Sequence, residues 1–123
     1  MKKLTIIIVL AVSMLFVSCS LFKPWAKNVS LSAIFTDNMV LQRGSQNTIW
    51  GKADPGGKID IAINGQRKRA FVKEDSSWFA LLEPMPYGGP FELVVKGAEE
   101  IVLTNVMVGE VWVASGQSNM QWP

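Results

Sequence analysis

Between positions 29 and 103 the apolar residues fall into short runs, interrupted by Gly, Pro, Asn or Asp at intervals of about eight to twelve residues. No window in this span offers a convincing long helix. This rhythm predicts a mainly β chain, with its ordered part a jelly-roll-like β-sandwich over residues 29–104.

Local patterns place the strands. Residues 31–35 and 39–42 flank Asp37-Asn38, which predicts a strand, a tight turn and a returning strand. Residues 47–51 follow as a strand closed by Asp54-Pro55-Gly56-Gly57, where Pro fixes φ and Gly frees it. The clearest hairpin joins 58–63 to 66–72 through Asn64-Gly65, a pair that tolerates the positive φ of a type I′ turn. In that register Asp60 faces Arg69, an exposed ion pair worth about 0.2 to 1 kcal/mol. Ile59, Ile61 and Ile63 then point inward. Alternation also divides Arg67-Lys68-Arg69 between two faces, so the basic run reads as a solvated strand and not as a polyanion site. Glu74-Asp75-Ser76-Ser77 turns into a strand at 78–82, and Pro84, Pro86, Gly88, Gly89 and Pro90 are too rich in breakers for regular structure. Further strands are expected at 91–95 and 101–103.

The first 19 residues have a different composition. Lys2 and Lys3 precede an apolar run at 4–17, which is the layout of a signal peptide and shorter than the roughly 20 residues of a comfortable bilayer span. Phe16-Val17-Ser18-Cys19 resembles a bacterial lipobox, with Phe in place of the usual Leu. Cys19 is the only cysteine, so it has no intramolecular disulfide partner. It is expected to be a lipid attachment point; the alternative is an incidental cysteine in an ordinary signal peptide. Residues 20–28 read as a short tether. Together these features predict export across the bacterial inner membrane to the periplasm or outer surface, with membrane contact only through the signal peptide or a lipid anchor.

The net charge of +2 resides in Lys2 and Lys3, and the balance of the remainder gives no reason to expect nucleic acid. Five tryptophans are many for 123 residues. A tryptophan anchors a core or stacks on a sugar, and most of these are expected in the core. One cysteine without histidine cannot form a zinc tetrad, and no phosphate loop or dinucleotide fingerprint is present, so no metal and no cofactor is implied.

At Asn105 the pattern changes. Val111, Trp112, Val113 and Ala114 form a continuous apolar run, as in a strand covered on both faces of a parallel α/β sheet. Ser115-Gly116 would turn the chain at the carboxyl end of that strand, and a helix starting after Ser118 would present free N–H groups. A serine there is a candidate acyl acceptor. It needs a base, and the chain contains no histidine.

Gly109-Glu110-Val111-Trp112, Ser115-Gly116-Gln117-Ser118-Asn119-Met120 and Trp122-Pro123 together resemble the first motif block of the sialate O-acetylesterases, members of the SGNH (GDSL-like) hydrolases. Upstream, Phe35-Thr36-Asp37-Asn38-Met39-Val40-Leu41-Gln42-Arg43, Asn64-Gly65, Asp75 with Trp78, and Gly88-Gly89-Pro90-Phe91 are similar to the family's β-rich N-terminal part. The resemblance covers the mature chain and implies that residues 105–123 begin a truncated SGNH hydrolase domain. It implies Ser118 as nucleophile toward the acetyl group of an O-acetylated sugar of the sialic acid class. The Ser118 backbone N–H is implied as an oxyanion donor worth roughly 3 to 4 kcal/mol. Gly116 would permit close approach of the backbone to substrate, and Gln117 and Asn119, with Ser115, would shape the turn. The family's Asp-x-x-His base is absent from these 123 residues, so the isolated chain is expected to be nearly inert. Two other readings stand beside this one: a non-catalytic β-sandwich module that stacks glycans on tryptophan, and a structural surface lipoprotein.

Overall fold

The computed structural model describes residues 22–113 and places eight strands there, with no helix among the described residues. They are β1 (Ser30–Leu31), β2 (Val40–Gln42), β3 (Asn47–Lys52), β4 (Lys58–Ile63), β5 (Gln66–Phe71), β6 (Ser77–Leu82), β7 (Gly88–Lys96) and β8 (Glu100–Gly109). A three-stranded sheet has the order β1-β3-β6, and a five-stranded sheet has the order β2-β8-β7-β4-β5.

The two sheets share one core. Alternation on each strand sends Ile49 of β3 and Trp78, Ala80 and Leu82 of β6 to the same interior as Ile59, Ile61 and Ile63 of β4. Leu93 and Val95 of β7 and Val106 and Val108 of β8 complete it. Removing these side chains from water is the main driving force for the assembly.

The hairpin matches its sequence pattern residue by residue. Asn64 and Gly65 adopt φ of 46° and 78°, and β4 pairs with β5 in the register Asp60↔Arg69. Arg67 and Arg69 share the outer face of the sheet, whereas Lys68 turns the other way and meets Glu83 at 2.7 Å. The Asp75 carboxylate accepts hydrogen bonds from the Ser77 amide at 3.0 Å and hydroxyl at 2.6 Å, which sets the turn into β6.

Several expectations are corrected. Residues 31–35 and 39–42 do not form a hairpin across Asp37-Asn38: β1 pairs antiparallel with β3, and β2 pairs parallel with β8 in the other sheet. Asp37-Asn38 does form the expected tight turn, closed by the Met39 amide donating to the Thr36 carbonyl at 3.3 Å, but the turn ties the crossing segment to β8. The Asp37 carboxylate accepts from the Thr104 amide at 2.8 Å, and the Asn38 amide donates to the Thr104 carbonyl at 3.0 Å. Asn38 and Asn105 both take positive φ, where their short polar side chains are tolerated, and bond to each other at 2.8 Å.

The breaker-rich stretch is also more regular than expected. β7 begins at Gly88 and runs through Gly89 and Pro90, with two register shifts against β8 before Leu93. The irregular pairing absorbs residues that a regular central ladder would reject.

Within the expected tether, residues 20–28, Ala26 is buried, and its amide donates to the Lys58 carbonyl at 2.9 Å. Gly57 makes this approach possible, because a Cβ there would collide with Ala26. The expected division between residues 104 and 105 falls inside β8, whose Val106 and Val108 are fully buried. The expected strand at 111–114 is not found among its described residues: 111–113 belong to no strand and are exposed, with Trp112 at 84% and Val113 at 93%. No described neighbour supplies the backbone partners that a strand requires.

Of the four described tryptophans only Trp78 is fully buried, at 1%. Trp25 is half-buried, Trp50 is partly exposed and Trp112 is exposed, so the expectation that most lie in the core is corrected. Trp50 and Trp78 occupy adjacent strands but opposite faces of the smaller sheet, which the alternating pattern alone does not rank by burial.

Candidate functional site

The end of β8 is where the described chain heads toward Ser118, and it is fastened to the end of β2. The parallel ladder Val40↔Met107, Leu41↔Val108, Gln42↔Gly109 is prolonged when the Arg43 amide donates to the Gly109 carbonyl at 2.9 Å. The Gln42 side chain then takes over from the backbone. Its Oε1 accepts from the Val111 amide at 2.9 Å, and its Nε2 donates to Glu110 Oε2 at 3.2 Å. The Arg43 guanidinium pairs with Glu110 Oε1. Hydrogen bonds from Arg43 and then Gln42 hold the Glu110 carboxyl below its ordinary pKa, so Glu110 is ionised at neutral pH.

Gln42 is itself braced. Its amide donates to Asn47 Oδ1 at 3.1 Å, and its carbonyl accepts from Asn47 Nδ2 at 2.9 Å. Beside this cluster lies an open groove of about 690 Å³, lined by Arg43, Gly44, Met85, Tyr87 and Glu110 among others.

Two further hollows lie away from the exit. One, of about 380 Å³, is walled by Leu31, Trp50, Trp78 and Phe79 and rimmed by Ser30, Ser32, Lys52 and Ser77. Its mixture of aromatic wall and hydroxyl rim suits an amphipathic ligand such as a sugar. The other, of about 350 Å³, lies on the outer face of the larger sheet between Trp25, Asp60, Arg67, Arg69, Lys96 and Glu100. There the ammonium groups of Lys58 and Lys96 sit 4.5 and 5.1 Å from the Trp25 ring centroid, so cations already occupy the neighbourhood of the ring. Among the described residues no group of three or more His, Cys, Asp or Glu side chains is disposed to hold a metal ion.

The residues singled out from sequence, Ser118, Gly116, Gln117, Asn119, Ser115 and Cys19, all lie outside the described residues. The Gln42, Arg43 and Glu110 cluster was given no role by sequence reasoning. Its members stand in motifs quoted for the family resemblance, but nothing local in either motif reveals that the two meet across 67 or 68 positions.

No protein-family profile matches the chain. Among curated proteins, the mouse sialate O-acetylesterase is 41% identical over an alignment of 102 residues that covers 72% of this chain and 19% of that protein. The human sialate O-acetylesterase is 37% identical, with 73% and 20% covered. Among solved structures, a carbohydrate acetylesterase from Xanthomonas citri superposes with a TM-score of 0.73 at 34% identity, covering 77% of this chain and 22% of that one. The chain thus spans about a fifth of the length of the relatives it matches.

Proposed function

The chain belongs to the sialate O-acetylesterase family, and from that premise we propose that it supplies the β-sandwich domain and the nucleophile of a carbohydrate O-acetylesterase. In this reading residues after the β domain begin an α/β SGNH hydrolase domain. Ser118 Oγ attacks the acetyl carbonyl of an O-acetylated sugar of the sialic acid class, forming an acetyl-serine ester as the sugar oxygen departs with a proton. Water then hydrolyses the ester to acetate and restores the hydroxyl. The Ser118 backbone N–H stabilises the oxyanion, and Gly116, Gln117 and Asn119 shape the turn that presents it.

A serine hydroxyl is a weak nucleophile without a base, and histidine is lacking in these 123 residues. The base is therefore assigned to an Asp-x-x-His segment outside them, and the 123-residue chain alone is inactive. Cys19 carries a lipid after signal cleavage, which holds the enzyme at the periplasmic or outer surface. The observation that carries the proposal is the 34–41% identity to acetylesterases found in both comparisons.

Acetate release from O-acetylated sialic acid by the polypeptide encoded by the whole reading frame tests it. Ser118→Ala is expected to abolish release, and a fully active Ser118→Ala protein sinks the assignment.

The hollow beside the exposed rings of Trp50 and Phe79 favours a second reading, a non-catalytic module that stacks glycans. It requires sugar binding that Trp50→Ala removes, in a polypeptide without acetyl release.

A further inference from the structure

We propose that Gln42, Arg43 and Glu110 form a latch that fixes the path by which the chain leaves the β domain toward Ser118. The latch rests on the nucleophile reading above for its purpose, although its geometry stands without it.

Three observations carry the argument. First, the backbone ladder between β2 and β8 ends at Gln42↔Gly109, and one further bond joins the Arg43 amide to the Gly109 carbonyl. The next residue beyond Glu110 is held by a side chain: the Val111 amide donates to Gln42 Oε1. The Gln42 carboxamide thus acts as an additional rung of the ladder.

Second, Gln42 is held at both its backbone and its side chain. Asn47 grips the Gln42 backbone through two hydrogen bonds, and Glu110 accepts from Gln42 Nε2 while pairing with Arg43. With its amide nitrogen engaged by Glu110, Gln42 Oε1 is turned toward the Val111 amide.

Third, no other described contact restrains the exit by burial. The side chains of Val111, Trp112 and Val113 are all exposed. The Arg43 and Glu110 side chains are themselves about half exposed, and an exposed ion pair adds little stability. The cluster therefore contributes mainly direction, and its loss should leave the core intact while freeing the exit.

For a nucleophile seven residues beyond Val111 in sequence, direction affects rate. Misplacement of a reacting group by about 1 Å from a remote change can cost on the order of a hundredfold. Gln42, Arg43 and Glu110 are accordingly positioning residues, and none of them is assigned contact with substrate.

Amide hydrogen exchange on the 123-residue chain and kinetics on the polypeptide from the whole reading frame test the latch together. In Gln42→Ala, exchange at Val111 should accelerate about tenfold or more, with Val106 and Val108 unchanged. Glu110→Ala removes only an exposed side chain and should accelerate Val111 in the same sense, which covers the case in which Gln42→Ala disturbs folding. With acetylated sugar, both variants should lower kcat about tenfold with KM held within about twofold, and the exchanged pair Arg43→Glu with Glu110→Arg should recover part of the loss. Unchanged exchange at Val111 in both variants overturns the latch, as does unchanged kcat in an active enzyme. Absence of acetyl release from the unaltered polypeptide defeats the esterase reading instead, and the exchange measurement still decides the latch.

Discussion

Asp60 and Arg69 face each other across the β4–β5 hairpin, joined by hydrogen bonds of 2.7 and 3.0 Å, with Asp60 only 7% exposed. Sequence register brings them together, but the expected exposed pair is on the aspartate side a buried one. Leaving a buried acceptor unpaired costs about 1–3 kcal/mol, whereas removing both partners together costs less. Arg69→Ala should therefore lower the urea midpoint more than Asp60→Ala combined with Arg69→Ala. Equal midpoints would show that the carboxylate reaches water freely.

Acid should weaken the domain through its carboxylates. Hydrogen bonds from Arg69 hold Asp60 below its ordinary pKa against the opposing effect of desolvation, those from the Ser77 hydroxyl and amide lower Asp75, and those from Arg43 and Gln42 lower Glu110. Each folded pKa lies below the unfolded one, so on acidification the unfolded chain takes up protons first. The contribution is complete above the ordinary carboxylate range of about 4 and is lost as pH falls through the folded values. Denaturation midpoints should stay level from about pH 7 to 5 and decline below about pH 4, less steeply in Asp60→Asn. An undiminished decline in Asp60→Asn would remove Asp60 from the account.

Two glycines separate backbone strain from collision. Gly65 has φ of 78° and open space around the position of a Cβ, so Gly65→Ala meets only the left-handed penalty of about 1–2 kcal/mol. At Gly51 a Cβ would collide with the Ser30 carbonyl oxygen and press on Trp78 at 3.0 Å. Gly51→Ala should cost more, about 3 kcal/mol, by forcing β1 from β3. The reverse ranking in thermal unfolding would contradict the β1–β3 pairing.

The tryptophans should also divide by face. Trp78→Ala empties a core site and is expected to cost about 3–5 kcal/mol. Trp50, 40% exposed, meets Phe35 edge to face at 4.7 Å, and Trp50→Ala should cost only about 1 kcal/mol. Similar losses at both positions would contradict the burial of Trp78 against the exposure of Trp50.

Much of the fold was legible in particular residues. Asn64-Gly65 between two alternating runs specified the hairpin, its register and the inward set Ile59, Ile61 and Ile63, because turn chemistry and pleat act over a few neighbouring positions. Asp37-Asn38 was legible as a tight turn but not in what that turn joins. The Met39 amide closes it on the Thr36 carbonyl, yet Thr104 and Asn105, far along the chain, claim the side chains of Asp37 and Asn38 and tie the turn to β8. The Gly88-Gly89-Pro90 stretch was underestimated because breakers are compatible with a strand whose pairing is allowed to slip, a property of its partner β8. Of the candidate site, Ser118 and its turn were legible as motif only, while the Gln42 and Glu110 contact was not legible at all.

The sequence by itself determined a mainly β chain, the β4–β5 hairpin and the family kinship carried by ordered motifs. Only the tertiary structure decided that β2 lies parallel to β8, that Asp60 is buried, that a single described tryptophan fills the core, and that Gln42 holds the exit of β8. Turns and alternation are short-range properties written into adjacent residues. Strand partners, burial and side-chain rungs are instead settled by competition across the whole chain for backbone hydrogen bonds and for room in one shared core.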